Sequence, residues 1–160
     1  MKSSRLSSWV PAVLACLFLL NACTPNTDVF EKNVPIPEHS WSKRFKPTID
    51  FTVKDTSIQY RIFVVIRHSD AYRYRNIWLN VQSVAPNGDT SKQALDLRLA
   101  TDDKGWLGSG MDDLFDHRIL ITRPGLLQAG TYHFSLEQIM REDPLEYVMN
   151  AGIRVEKVQQ

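Results

Sequence analysis

Along most of the chain apolar and polar residues alternate with a period of two, which is the mark of β-strands with one buried face. Ile49, Phe51 and Val53 share one face against Thr48, Asp50 and Thr52. After Lys54-Asp55-Thr56-Ser57 comes a longer run, with Ile58, Tyr60, Ile62, Val64 and Ile66 on one side. Its other side, Gln59, Arg61, Phe63, Val65 and Arg67, is apolar in the middle, which predicts a central strand partly covered on both faces. Ile77, Leu79 and Val81 oppose Tyr74, Asn76, Trp78 and Asn80, and Leu95, Leu97 and Leu99 oppose Ala94, Asp96 and Arg98. A strand is predicted around His117 to Ile121. Another places Tyr132, Phe134, Leu136, Gln138 and Met140 opposite His133, Ser135, Glu137 and Ile139, and a last one turns Ile153 and Val155 inward. Upstream, Asp28 to Val34 reads as a first strand ended by Pro35-Ile36-Pro37. Glu38 to Pro47 reads as a loop pinned by Trp41 and Phe45.

The punctuation fits the same picture. Pro86-Asn87-Gly88-Asp89 is a turn, since Asn and Gly tolerate positive φ and Pro presets the entry. Thr101-Asp102-Asp103-Lys104-Gly105 is a second, followed by the glycine-rich Trp106-Leu107-Gly108-Ser109-Gly110. No stretch after residue 23 keeps a helical period, and no long repeat is visible. The expected fold is all-β, an antiparallel β-sandwich of eight strands with jelly-roll-like connectivity. The alternative is an immunoglobulin-like sandwich, which strand patterns alone do not separate from it.

The first residues break the pattern. Lys2 and Arg5 precede an apolar run from Val10 to Leu20, too short for a spanning helix of about 20 residues. The run ends in Leu20-Asn21-Ala22-Cys23, which resembles the lipobox of bacterial lipoproteins. That resemblance implies cleavage after Ala22 and acylation of Cys23 with palmitate-type chains. Two or more chains make a stable tether, at ~0.8 kcal/mol per buried CH2. Residues 1–22 are thus read as a signal peptide, 23–27 as lipidated cysteine and tether, and 28–160 as a single β-sandwich domain. Thr24 stands where some sorting systems place a retention acid, which favours the outer membrane.

Composition narrows the chemistry. Without Lys2 and Arg5 the basic count falls from 19 to 17 against 18 acidic residues, so no basic excess points to nucleic acid. Cys16 leaves with the signal peptide and Cys23 is acylated, which leaves no thiol for a disulfide, a metal or a nucleophile. His39, His68, His117 and His133 show no local ligand spacing, and no G-x-S-x-G, phosphate loop or H-E-x-x-H occurs. Asp102, Asp103, Asp112, Asp113 and Asp116 bracket the glycine-rich stretch and read as turn chemistry rather than a calcium loop. No enzyme, metal or cofactor is expected. The candidate partner or ligand surface is Tyr72, Arg73, Tyr74, Arg75 and Trp78, an Arg/aromatic mixture typical of protein interfaces and also capable of stacking on a glycan.

In order, Tyr74-Arg75-Asn76-Ile77-Trp78-Leu79, Pro86-Asn87-Gly88-Asp89-Thr90, Gly105 to Gly110, Gly130-Thr131-Tyr132-His133-Phe134, Gln138-Ile139-Met140-Arg141 and Gly152-Ile153-Arg154-Val155-Glu156 resemble the gliding motility lipoproteins called GldH, from the Bacteroidetes. The resemblance implies a cell-envelope lipoprotein that supports gliding motility or the associated secretion machinery. Its partners would be other envelope lipoproteins and motility or secretion components. It supplies no catalytic or ligand residues. A lipid-anchored module that binds carbohydrate or peptidoglycan is the alternative, and exposure of Tyr72, Tyr74 and Trp78 separates the two.

Overall fold

The computed structural model describes residues 29–158, so the expected signal peptide, Cys23 and the tether lie outside the described residues. Within them the alternating segments form eight strands of six residues or more. They are β1 (Val29–Pro35), β2 (Thr48–Val53), β3 (Gln59–Ser69), β4 (Asn76–Val84), β5 (Thr90–Arg98), β6 (Leu114–Leu120), β7 (Gly130–Gln138) and β8 (Val148–Val158). One sheet has the order β1-β8-β3-β6, continued at its edge by Ser109–Met111, and the other has the order β2-β7-β4-β5. Every pairing between them is antiparallel.

The pairs β1·β8, β2·β7, β3·β6 and β4·β5 are nested. The chain is therefore one long hairpin whose two arms roll up together, so that alternate segments fall into opposite sheets. That is jelly-roll connectivity. An immunoglobulin-like sandwich would set its first two strands side by side, whereas β1 here pairs with β8. The hairpin closes at the turn after β4. There the Ala85 N–H donates to the Asp89 carbonyl at 2.8 Å and the Gly88 N–H to the Ala85 carbonyl at 2.9 Å. Gly88 has φ of 88°, a conformation glycine takes without the Cβ clash.

Both sheets turn their apolar faces inward, and Ile49, Val64, Ile66, Ile77, Leu79, Leu136 and Ile153 are fully buried. The rings of Phe30 on β1 and Phe51 on β2 lie 5.1 Å apart and close one side of the sandwich. The outward face of β3 is covered as its apolar middle predicted, and Val65 is buried. Ion pairs lie over that face. Glu31 accepts from Arg118 Nε and from Arg154 at 2.9 Å, and Arg61 pairs with Glu156 at 3.1 Å. Burial by itself raises the Glu31 carboxyl, but the hydrogen bonds from Arg118 and Arg154 outweigh it and hold it down at about 2.

Two expectations need correction. The Glu38–Pro47 loop contains a two-residue strand, Ser40–Trp41, paired with Leu145–Glu146. Its pin is real: Trp41 is fully buried and its indole N–H donates to the Phe45 carbonyl at 2.9 Å. Strand β6 also starts three residues before the predicted position, because Leu114 and Phe115 find partners in Ser69 and His68 at the far end of the long β3.

Candidate functional site

The antiparallel register gives the sandwich two distinct ends. The start of β1, the end of β8, the start of β3 and the β4–β5 turn share one end. The loop from Asp70 to Arg75 and the residues after β7 sit at the other.

At that second end the loop is built around Tyr72. Its N–H donates to the Ser69 carbonyl at 3.1 Å and closes the turn, and its hydroxyl donates to the Asn76 carbonyl at 3.0 Å. The ring is 3% exposed and lies 5.1 Å from the His68 ring and 6.3 Å from Trp106. Burial pushes its phenol well above the usual range. Tyr72 therefore does not belong to the predicted surface, because it holds the loop on the core. With Tyr72 inward, alternation turns Arg73 and Arg75 outward, and both are exposed. Tyr74 is half-buried, and its hydroxyl donates to Glu142 at 2.8 Å. That bond keeps the phenol protonated above its ordinary range. Arg75 pairs with Asp102.

Trp78 lies on the outward face of β4 and is 42% exposed. Its N–H points at the Met140 sulfur (3.3 Å), and its carbonyl accepts from the Ile139 N–H at 2.9 Å. That second bond carries β7 on past its last paired residue and sets Ile139 beside the indole. Tyr74, Asn76, Trp78, Ile139, Met140 and Arg141 line a groove of about 450 Å³. Neither Arg73 nor Arg141 has a hydrogen-bond or ion-pair partner among the described residues. The arrangement is an apolar, aromatic groove with the Arg141 guanidinium at its edge, and Arg73 is exposed in the adjoining loop. Of the described tryptophans only Trp78 is exposed, since Trp41 is buried and Trp106 packs on His68. Of the described Phe, Tyr and Trp side chains Trp78 and Tyr147 are exposed, and the predicted Tyr72, Tyr74 and Trp78 do not form an exposed row.

Beneath the loop the structure assembles a pair that sequence spacing did not reveal. His68 Nε2 and His117 Nε2 are 2.9 Å apart, and both side chains are buried. They come from the paired strands β3 and β6, separated by 49 positions, so only the register brings them together. His68 Nδ1 is 2.7 Å from the Ser69 carbonyl, which can only accept. The proton therefore sits on His68 Nδ1, and His117 Nε2–H donates to His68 Nε2. Trp106 meets the His68 ring edge-on at 4.4 Å, and Phe115 stacks on it at 5.8 Å. Burial lowers both imidazoles, and with the neighbouring His68 it brings His117 down to about 4. Gly108 lets the glycine-rich loop lie against β6, because a Cβ there would meet the Asp116 carbonyl at 2.6 Å and His117 Nε2 at 2.9 Å. Of the bracketing acids, Asp102 pairs with Arg75 and Asp116 with Arg67. Among the described residues no group of three His, Cys, Asp or Glu side chains is placed to hold a metal ion.

Fold and site together define a jelly-roll β-sandwich domain with an aromatic, arginine-edged surface at one end. The family described as GldH lipoprotein matches residues 28–155, and the chain belongs to that family. It is 27% identical over 125 residues to the gliding motility lipoprotein GldH of Flavobacterium johnsoniae, covering 74% of this chain and 78% of the relative. It is 26% identical over 127 residues to a GldH homolog of Christiangramia forsetii, with the same coverage. Among solved structures, dimeric latent PorU from Porphyromonas gingivalis aligns with 86% of this chain and 13% of its own at 11% identity. The TM-score is 0.38, a likeness too loose to bear on function.

Proposed function

We propose that this chain is a lipid-anchored envelope protein, held in the outer membrane by acylated Cys23, that supports gliding-type motility or its associated secretion machinery through protein contacts. The reading is non-catalytic and requires no metal or cofactor. The relatives' names supply the process, and the lipobox supplies the anchor. One observation carries the mode of action: Trp78 and Ile139 are exposed side by side in one groove, with Arg141, which has no hydrogen-bond or ion-pair partner among the described residues, at its rim. Exposed aromatic and apolar side chains edged by arginine are the composition of protein-interface hot spots. The free Arg141 guanidinium suits a partner with a carboxylate beside an apolar anchor. Five residues separate Cys23 from β1, and they span at most about 18 Å. The tether end therefore stays near the bilayer and the Trp78 end faces away from it.

The test is covalent crosslinking in the intact envelope with Trp78→Ala. The variant should lose the crosslinked neighbours of the natural protein while staying in the membrane fraction. Its stability should fall by about 1 kcal/mol, not the ~3–5 kcal/mol of a core tryptophan, because the ring is already partly in water. An unchanged set of neighbours would remove the surface from the proposal.

A further inference from the structure

The two sheets end in four edges, and they differ. Edge β1 ends in Pro35, which has no N–H, and is closed against β2 by the Phe30–Phe51 contact. Edge β2 is six residues long and follows Pro47. The edge beside β6 is the three-residue Ser109–Met111. Edge β5 is nine residues long, contains no proline, and is exposed from Thr90 to Ala94.

Hydrogen bonding identifies which β5 groups are free. The Ala85 N–H donates to the Asp89 carbonyl and the Leu99 N–H to the Arg75 carbonyl, so the odd-numbered residues of β5 bond to β4. The backbone N–H and C=O of Thr90, Lys92, Ala94, Asp96 and Arg98 therefore point at the open edge. An uncovered row of this kind is a template for another strand. The side chains of the same five residues all lie on the outward face of the sheet, with those of Trp78 and Asn80.

We infer that β5 pairs antiparallel with β5 of a second copy of this chain, about a twofold axis at Ala94. In that register Lys92 stands opposite Asp96 of the copy, and Asp96 opposite its Lys92. The small Ala94 meets itself, and Thr90 meets Arg98. The strand is thus complementary to its own reverse in charge and in size, as an isologous interface requires. Moving the centre by one residue along the outward face, to Lys92 or to Asp96, sets that charge against its own copy. Ala94 is thereby the favoured centre. The product is one sheet running β2-β7-β4-β5 and back through the copy, with two Trp78 patches on a common face. The pairing uses β5 alone and does not depend on how Trp78 is used or on the anchor.

The experiment is Ala94→Cys in the full-length protein in its native envelope, with the natural chain, whose cysteines are Cys16 and Cys23, as control for any disulfide through those two. Hydrogen-bonded antiparallel partners have Cα atoms about 5.5 Å apart, within disulfide reach. Ala94→Cys should give a disulfide dimer of twice the chain mass on non-reducing gels. Ser91→Cys, about 20 Å from its own copy in this register, should stay monomeric. Adding Lys92→Asp to Ala94→Cys should cut the dimer about tenfold by setting like charges opposite, and adding Asp96→Lys as well should restore it. A monomeric Ala94→Cys, equal dimer from Ser91→Cys, no rescue by the double charge swap, or an adduct to a different protein would each overturn the inference.

Discussion

A neutral hydrogen bond between two buried imidazoles makes the stability of the fold depend on pH. His117 takes its proton at about 4 in the folded protein, against 6.5 in the unfolded chain, because burial and the neighbouring His68 disfavour its charge. Between those values the unfolded chain binds a proton that the folded one refuses, so stability falls as pH drops from 6.5 towards 4. From pH 7 to pH 5 the His117 contribution is a loss of about 2 kcal/mol. His117→Gln keeps a donor for His68 and removes the His117 titration, leaving that of the buried His68. Urea unfolding of that variant should show a much smaller loss across this interval, after a cost of about 1 kcal/mol at pH 7. An unchanged pH dependence would move the titration to another group.

Among the elements, β8 bears the most structure, because it pairs with β1 on one side and β3 on the other along nearly its whole length. Gly152 sits at its middle, opposite Asn33 and Val65. A Cβ there would collide with the Asn33 side chain and the Lys32 carbonyl, and would lie 2.9 Å from Asn33 Cα. Two of those obstacles are backbone, so β1 itself would have to move. Gly152→Ala should therefore cost about 2–3 kcal/mol in thermal or urea unfolding, despite adding only a methyl group. A loss below about 0.5 kcal/mol would mean that β1 yields freely.

For the whole molecule, the nested hairpin separates attachment from folding. The described body begins at Val29, and the residues from there on supply a core that joins the two sheets. Cys23→Ser should move the protein from the membrane to the soluble fraction with its melting temperature unchanged, since the acyl chains supply tethering energy and no packing. A lowered melting temperature would show that the anchor region also packs on the sandwich. The same nesting puts the start of β1 and the Trp78 surface at opposite ends of the sandwich.

The period-two pattern determined the strands, the faces they bury and the turn at Pro86 to Asp89, because a pleated strand sends successive side chains to opposite sides whatever its partners. It also exposed Trp78, by placing it opposite Ile77 and Leu79. Alternation says nothing about which strands are neighbours, so the choice of jelly roll over an immunoglobulin-like sandwich belonged to the tertiary structure. So did the fate of Tyr72, a residue in a polar loop that proved to be its anchor. The joining of His68 to His117 likewise came from the register of β3 on β6. Local pattern follows from backbone geometry, whereas contacts between distant residues arise only when the rolled hairpin sets one strand against another.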